Sequence, residues 1–209
     1  MILLATWSLD SLRTAYGRDP YLGVLTQPRS RHNYRTLAGD GIVWAADNDG
    51  FQGVDSDAYL RMLDRISRYP TGCKWVTVPD VVGDWKATNY NWSEWRDLVE
   101  GYGIPLAYVA QDFVPCDQVP WDEMACLFIG GTDAYKTSDA AEGLCREAKD
   151  RGKWVHIGRV NTRGRFHRAA AMGADSVDGT KWTRWARTYR AEMLGLLHGG
   201  RAQSLCRGW

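Results

Sequence analysis

The sequence has few of the residues that build disulfide frameworks and metal centres. Its five cysteines are an odd number and include no Cys-x-x-Cys pair, which argues against a disulfide framework and against a thiolate zinc site. The four histidines form no His-x-His or His-Glu-x-x-His pattern, so metal-dependent hydrolysis is not indicated. We therefore expect no bound metal, cysteines that serve as small buried side chains, and a reducing cytoplasm as the location.

Signals for membranes and nucleotide cofactors are also missing. No stretch approaches the ~20 apolar residues of a membrane span, and residues 1–7 turn polar too soon for a signal peptide. Without a Gly-x-Gly-x-x-Gly or P-loop motif, no cofactor is expected. The 26 basic and 25 acidic residues nearly cancel, so a nucleic-acid partner would have to bind a local basic face.

The sequence alternates repeatedly between short β-branched or aromatic runs and segments whose apolar residues have helical spacing. Its length suits one domain. Amphipathic helices are predicted at 55–69, 85–101 and 139–151, whereas 10–20 and 27–40 are polar and are expected to be loops with little helix. The predicted strands are 2–7, 21–25, 42–46, 74–78, 106–110, 126–129, 154–157 and 176–177. This order predicts a compact (β/α)8 TIM barrel over residues 1–198, with 199–209 as a C-terminal tail and an open doubly wound sheet as the alternative.

Polar residues follow most of these runs, where the active site of such a barrel lies. Taken singly, each has an ordinary interpretation as an Asx turn, a helix cap or a tight turn. Together they predict one polar mouth formed by Asp47, Asp80, Gln111, the pair Gly130-Gly131, and Asp178. Two carboxylates beside a glycine-lined slot suit glycosidic chemistry, in which one attacks the anomeric carbon and the other moves protons.

These residues carry a resemblance to tRNA-guanine transglycosylases. The segment 47–52, Asp-Asn-Asp-Gly-Phe-Gln, resembles their D-S-G-G-F-Q signature, and Gln111 and Gly130-Gly131 resemble their V-Q-G and I-G-G elements. The segment 173–178 is similar to G-V-D-M-F-D, which ends in the nucleophile. The sequence is more similar to a branch of shorter proteins at 78–84, 128–131, 153–161 and 175–180. That branch is the phage and bacterial DNA 7-deazaguanine transglycosylases, which exchange guanine in DNA for a preQ0-type base.

The resemblance implies a double displacement through a covalent aspartyl intermediate. Asp178 would be the nucleophile and Asp47 the general acid/base. The base would stack on Phe51, with Ile157 packed on its other face. Its amide edge would be bound by Asp80, Gln111, Gly130 and Gly131. The implied partners are DNA and a free 7-deazaguanine base such as preQ0, in the host cell's cytoplasm if the protein is phage-encoded; an accessory protein that presents the DNA is left open.

The sequence departs from the family pattern in two ways. Asn48 and Asp49 replace the signature's Ser and first Gly, which bears on the conformation of that loop. The zinc element of the tRNA enzymes is missing, and this absence favours DNA over tRNA. DNA phosphates would be bound by basic and polar groups near the mouth, for which a solvated surface is the alternative interpretation. These candidates are Arg29, Arg31, Lys136, Arg159, Asn161, Arg163 and Arg165.

Some alternatives remain open at this stage. His156 lies inside the seventh run and is expected to be a structural, buried histidine. Base exchange on RNA is the nearest alternative to exchange on DNA. A hydrolytic glycosidase using the carboxylate pair and a catalytically silent nucleic-acid-binding barrel are the other two.

Overall fold

The computed structural model describes residues 1–205, apart from the side chains at positions 52 and 200–205, and forms a closed barrel of eight parallel strands. Each strand pairs with its neighbours in chain order, and β8 closes on β1. The predicted (β/α)8 fold and all eight predicted strand positions are thereby confirmed. The strands are β1 Ile2–Ala5, β2 Leu22–Thr26, β3 Trp44–Ala46, β4 Cys73–Thr77, β5 Leu106–Ala110, β6 Cys126–Ile129, β7 Trp154–Ile157 and β8 Ser176–Asp178.

The hydrophobic core has two layers because side chains alternate along each strand. A small cluster fills the barrel interior, with Trp75 and Phe128 as its largest members. A larger cluster, which includes Val76, Leu127 and Ile157, packs between the barrel and the surrounding helices. Along a strand, the residue two positions after an inward-facing core residue also faces the barrel axis. At the carboxyl end of the strand, that residue lies at the mouth of the barrel.

Helices follow seven of the eight strands, and within the described residues the connection from β5 to β6 holds only a short 3-10 turn, Cys116–Gln118. The predicted helices at 55–69, 85–101 and 139–151 are confirmed as α3, α4 and α5. The helices are α1 Leu9–Tyr16, α2 Tyr34–Gly39, α3 Ser56–Ile66, α4 Trp85–Glu100, α5 Asp139–Asp150, α6 Arg163–Ala171, α7 Thr180–Arg184 and α8 Ala186–Leu205.

The expectation of loops at 10–20 and 27–40 was wrong, since α1 and α2 occupy most of these segments. Both helices are short and begin at a polar cap: the side chain of Ser8 accepts from the backbone N–H of Ser11, and that of Asn33 from Thr36. Each helix buries only two side chains at helical spacing, such as Leu12 and Tyr16 in α1. Caps and tertiary packing therefore make helices of segments whose polarity suggested loops.

The last helix extends further than expected. Helix α8 continues through position 205, so the first residues of the predicted 199–209 tail are helical, and 206–209 lie outside the described residues. Among the described helices, none has the length and apolar character needed to cross a membrane.

Candidate functional site

A cavity of about 470 Å³ opens at the carboxyl ends of the strands, within the ~300–1,000 Å³ typical of small-molecule sites. Its floor is apolar, formed by Leu25, Val109 and Phe128, and its walls carry polar groups from most of the strand ends. The predicted residues that line it are Asp47, Phe51, Asp80, Gln111, Gly130, Gly131, Lys136, Arg159, Asn161 and Asp178. The barrel thus brings together side chains that are up to 131 positions apart between Asp47 and Asp178.

Asp47 lies in a half-buried position directly after β3. Its carboxylate accepts from Gln27 Nε2 at 3.3 Å and from Thr77 Oγ1 at 3.4 Å, both long hydrogen bonds. Burial, reinforced by the negative charges of Asp80 and Asp178, raises the pKa of Asp47 to about 7. A carboxyl group with this pKa exchanges protons readily near neutral pH, as a general acid/base must.

Asp80 is buried and held by two amide side chains. It accepts from Asn48 Nδ2 at 2.8 Å and from Gln111 Nε2 at 2.5 Å. Burial raises the pKa of Asp80, and these two hydrogen bonds partly oppose that effect. Gln111 also accepts from the backbone N–H of Gly83 at 2.9 Å, so in this structure it holds Asp80 and the β4–α4 loop.

Asp178 ends β8 with its side chain 15% exposed to the cavity. One carboxylate oxygen accepts from the backbone N–H of Arg159 at 3.0 Å, and the other lies 3.1 Å from His156 Nε2. Arg159 has a φ of 60°, a left-handed conformation that is uncommon for a residue other than glycine. This local conformation accompanies the N–H contact that fixes one oxygen of Asp178.

Glycines at two strand ends keep the cavity open. A Cβ at Gly158 would lie 2.6 Å from Phe128 Cε2 and 3.4 Å from the oxygen Oδ2 of Asp178. A Cβ at Gly130 would lie 2.6 Å from Val109 Cγ1. Gly131 has a φ of 72°, so the turn after β6 also requires a left-handed residue. In this pair, Gly130 allows the close approach of the Val109 side chain, and Gly131 adopts the left-handed conformation of the turn.

In the loop after β3, one residue other than glycine has the left-handed backbone conformation that glycine usually adopts. Asp49, which stands where the resembled signature has its first glycine, has a φ of 57°. Aspartate tolerates this left-handed conformation better than most residues, and Gln27 Nε2 donates to its carboxylate at 3.1 Å. The substitution at position 49 is therefore compatible with the turn that carries Phe51 to the mouth.

The mouth of the cavity has an apolar side and a basic side. Loops after β3, β4 and β5 expose the side chains of Phe51, Val81, Val82 and Phe113, each by 38% or more. Opposite them, loops after β6 and β7 carry Lys136 and Arg159. The guanidinium of Arg159 lies 4.8 Å from the centre of the Phe51 ring, within cation–π range, so the two sides meet above the cavity.

Lys136 is a buried cation that lines the cavity with 7% of its surface exposed. Burial and the charge of Arg159 lower the pKa of Lys136, while Asp178 and Asp133 oppose that shift. Its ammonium has no ion-pair partner within 4 Å among the described side chains. The ordinary interpretation of Lys136 as a plain surface charge is therefore wrong.

Of the other predicted phosphate-binding residues, Arg159 and Asn161 line the cavity and the rest lie outside it. The side-chain oxygen of Asn161 accepts from the backbone N–H of Lys181 at 3.0 Å and so holds the start of α7. Arg165 pairs with Asp133 at 2.8 Å. Exposed positions on the rim are occupied by Arg29, Arg31 and Arg163.

The expectation that Ile157 packs on a bound base was wrong. Its side chain is 3% exposed and belongs to the core between barrel and helices, outside the cavity lining. The reason is strand alternation: His156 and Gly158 face the barrel axis, so Ile157 faces the helices.

Sequence reasoning missed the contact between His156 and Asp178. His156 is fully buried but is not merely a packing residue, because its Nε2 reaches the carboxylate of Asp178 and its Nδ1 lies 2.8 Å from Ser176 Oγ. A usable signal was present, since Ser176 and Asp178 share one face of β8 and His156 is inward-facing on β7. Strand alternation alone does not predict the register between β7 and β8, which places His156 opposite Ser176.

Comparison of the chain with models of known protein families and with curated protein sequences gave no match. The functional interpretation of the cavity therefore depends on its own geometry and chemistry.

Proposed function

We propose that the protein is a transglycosylase that exchanges guanine in DNA for a 7-deazaguanine base such as preQ0. The observation that carries this proposal is the pairing, in one cavity, of two carboxylates in opposite environments. Asp178 accepts two hydrogen bonds that fix its orientation, whereas burial and neighbouring carboxylates raise the pKa of Asp47 to about 7. Retaining glycosidic chemistry needs one oriented nucleophile and one group that exchanges protons.

The first half-reaction releases guanine. A carboxylate oxygen of Asp178 forms a bond to C1′ of the target nucleotide as the bond from C1′ to N9 breaks. The electron pair of that bond leaves with guanine, and protonated Asp47 supplies the proton that neutralises it. The product is an ester between Asp178 and C1′ of the DNA.

The second half-reaction inserts the new base. Ionised Asp47 takes the proton from N9 of the 7-deazaguanine as N9 attacks C1′, and the bond between C1′ and Asp178 breaks. Asp178 returns as a carboxylate and Asp47 is again protonated. Two inversions at C1′ give overall retention, and no other reactant is required.

The cavity walls suit a flat base with an amide edge. Asp80, oriented by Asn48 and Gln111, retains lone pairs that can accept from the N–H groups of a guanine-like base. The base would stack on exposed Phe51 after the guanidinium of Arg159, which lies 4.8 Å from the centre of that ring, moves aside. The target nucleotide must leave the helix to reach this depth.

The basic side of the mouth suits the DNA backbone. Lys136 and Arg159 line the cavity, and Arg29, Arg31 and Arg163 lie exposed on the surrounding loops and at the start of α6. Cations in this position would bind phosphates on either side of the extruded nucleotide, with an affinity that falls as salt rises.

Incubation with DNA and isotopically labelled guanine tests the proposal. We expect label to enter DNA without loss of bases, and mass analysis of the nucleosides to show a 7-deazaguanine product when preQ0 is supplied. Abasic sites without incorporation would instead indicate a hydrolase, and retention on DNA without either product would indicate a binding protein. Incorporation into RNA but not into DNA would overturn the choice of substrate.

A further inference from the structure

We propose that a buried chain of hydrogen bonds, running from Trp154 through Ser176 to His156, positions the carboxylate of Asp178 for attack. This inference rests on the proposed function, because it assigns to His156 a positioning role toward the proposed nucleophile.

The chain joins inward-facing residues of two adjacent strands. Trp154 Nε1 donates to Ser176 Oγ at 2.8 Å, Ser176 Oγ lies 2.8 Å from His156 Nδ1, and His156 Nε2 lies 3.1 Å from Asp178 Oδ2. All four residues belong to β7 and β8, where His156 pairs directly opposite Ser176. The strand register thus builds the chain behind the carboxylate.

Donor and acceptor counting assigns the proton positions. Asp178 as a carboxylate only accepts, so His156 Nε2 must carry a hydrogen. The indole N–H of Trp154 only donates, so Ser176 Oγ accepts from it and keeps its own hydrogen to donate. Donation to His156 Nδ1 uses that hydrogen and leaves the ring neutral, with every group in the chain satisfied.

A protonated imidazole fits the chain less well. Both ring nitrogens would then donate, and Ser176 Oγ would accept from Trp154 and His156 together. The hydroxyl hydrogen of Ser176 would have no acceptor among the hydrogen bonds of the described residues, at a site that is fully buried. An unsatisfied buried donor is costly, so the neutral ring with a hydrogen on Nε2 is the assigned state.

Packing against two aromatic rings also holds the imidazole of His156 in place. The ring centre of His156 lies 4.9 Å from that of Trp75 and 4.5 Å from that of Phe128, and both His156 and Ser176 have no exposed surface. Solvent therefore does not reach His156 or Ser176 in this structure. The chain acts as a support for Asp178.

Two donors reach Asp178 from different elements. His156 donates to Oδ2 and the backbone N–H of Arg159 donates to Oδ1, so rotation of the carboxylate is restricted before substrate binds. Fixing a reacting group in this way lowers the activation barrier, and a misplacement of about 1 Å can cost ~100-fold in rate.

Two substitutions separate positioning from packing. His156→Gln keeps an amide donor that can reach Asp178, whereas His156→Leu removes the donor and keeps an apolar filling. We expect kcat for base exchange to fall roughly 10- to 100-fold in His156→Leu with little change in KM, and His156→Gln to recover part of that loss. Equal losses in both variants, or losses that track only the folded fraction, would overturn the inference.

A measurement on wild-type protein tests the chain without relying on activity. Imidazole ¹⁵N spectra, with His156 identified by its missing signal in His156→Gln, should show a protonated Nε2 and a bare Nδ1. A hydrogen on Nδ1 alone would leave Asp178 without this donor and would contradict the proposal, as would a fully protonated ring. If wild-type protein exchanges no base but shows the expected tautomer, the proposed function fails while the chain stands.

Discussion

The two carboxylates proposed to share the chemistry differ in what surrounds them. Asp178 is held by a buried histidine and a backbone N–H. Among the described side chains, Asp47 has only long hydrogen bonds from Gln27 and Thr77, and it faces the charges of Asp80 and Asp178. Donors orient the first group, and burial with like charges makes the second easy to protonate. The difference teaches that identical side chains acquire separate roles from their neighbours.

The largest expected effect comes from removing the oriented carboxylate. Asp178→Asn leaves a weak nucleophile in the same volume, so base exchange should fall by roughly 1,000-fold or more. Labelled-guanine incorporation into DNA measures the loss.

Asp175→Asn is the matched control for this variant. Asp175 faces away from the cavity, pairs with Lys149 at 2.8 Å and accepts from the backbone N–H of Val155. Its replacement should lower stability by about 1 kcal/mol and leave exchange near the wild-type rate. The assignment of Asp178 is wrong if Asp178→Asn retains exchange while Asp175→Asn loses it.

Asp47→Asn should produce the next largest effect, a loss of roughly 100- to 1,000-fold in guanine release. Because the protonated carboxyl group supplies the leaving-group proton, the wild-type kcat/KM for guanine release should decline as pH rises above about 7, the value to which burial raises the pKa of Asp47. The variant should be slow and lack this decline. A wild-type profile that is flat from pH 6 to 9 would remove Asp47 from the acid role.

Gly158→Ala should cause a smaller loss through crowding. The added methyl group would lie 2.6 Å from Phe128 Cε2 and 3.4 Å from Asp178 Oδ2, so the ring or the carboxylate must shift. We expect exchange to fall about 10-fold and stability to fall by ~1–3 kcal/mol. Thermal unfolding and exchange assays measure the two effects, and Gly164→Ala, where a Cβ meets no atom within 4 Å, is the control. If Gly158→Ala had the exchange rate and stability of wild type, the contact of position 158 with Phe128 and Asp178 would not be tight.

The smallest expected effect concerns stability against pH. An unfolded aspartate titrates near pH ~3.9, whereas burial raises the folded-state pKa of Asp47 to about 7. Between these values the folded protein holds a proton that the unfolded chain releases, so stability falls as pH rises from about 4 to about 7 and levels off above. At pH 8, Asp47→Asn should be more stable than wild type by ~1–3 kcal/mol, with little difference at pH 4.

Denaturant unfolding of wild type and Asp47→Asn at several pH values measures whether stability falls as Asp47 ionises. Asp80, whose pKa burial also raises, leaves a residual slope of the same direction in the variant. A variant that is less stable than wild type at pH 8 would show that Asp47 contributes favourable contacts that outweigh the cost of its ionisation.

The fold was predictable because eight strand-like runs in order, with clear helical spacing at α3, α4 and α5, are strong local signals of a barrel. The location of Asp47, Asp80, Gln111 and Asp178 at one mouth followed from their positions after strands. Their partners did not follow, since the contact of His156 with Asp178 depends on the register between β7 and β8.

The errors also have physical causes. Helices α1 and α2 are formed by polar caps and tertiary packing that single-sequence polarity obscures. Ile157 was assigned to the base by resemblance, although alternation from His156 and Gly158 directs it to the helices.

Trapping the covalent intermediate tests the central claim most directly. Wild-type protein mixed with a guanine-containing DNA oligonucleotide, without incoming base, and then denatured should give an adduct equal to protein plus oligonucleotide minus guanine. Peptide mapping should place the DNA on Asp178. An adduct on a different residue, or active base exchange with no adduct on Asp178, would contradict the account.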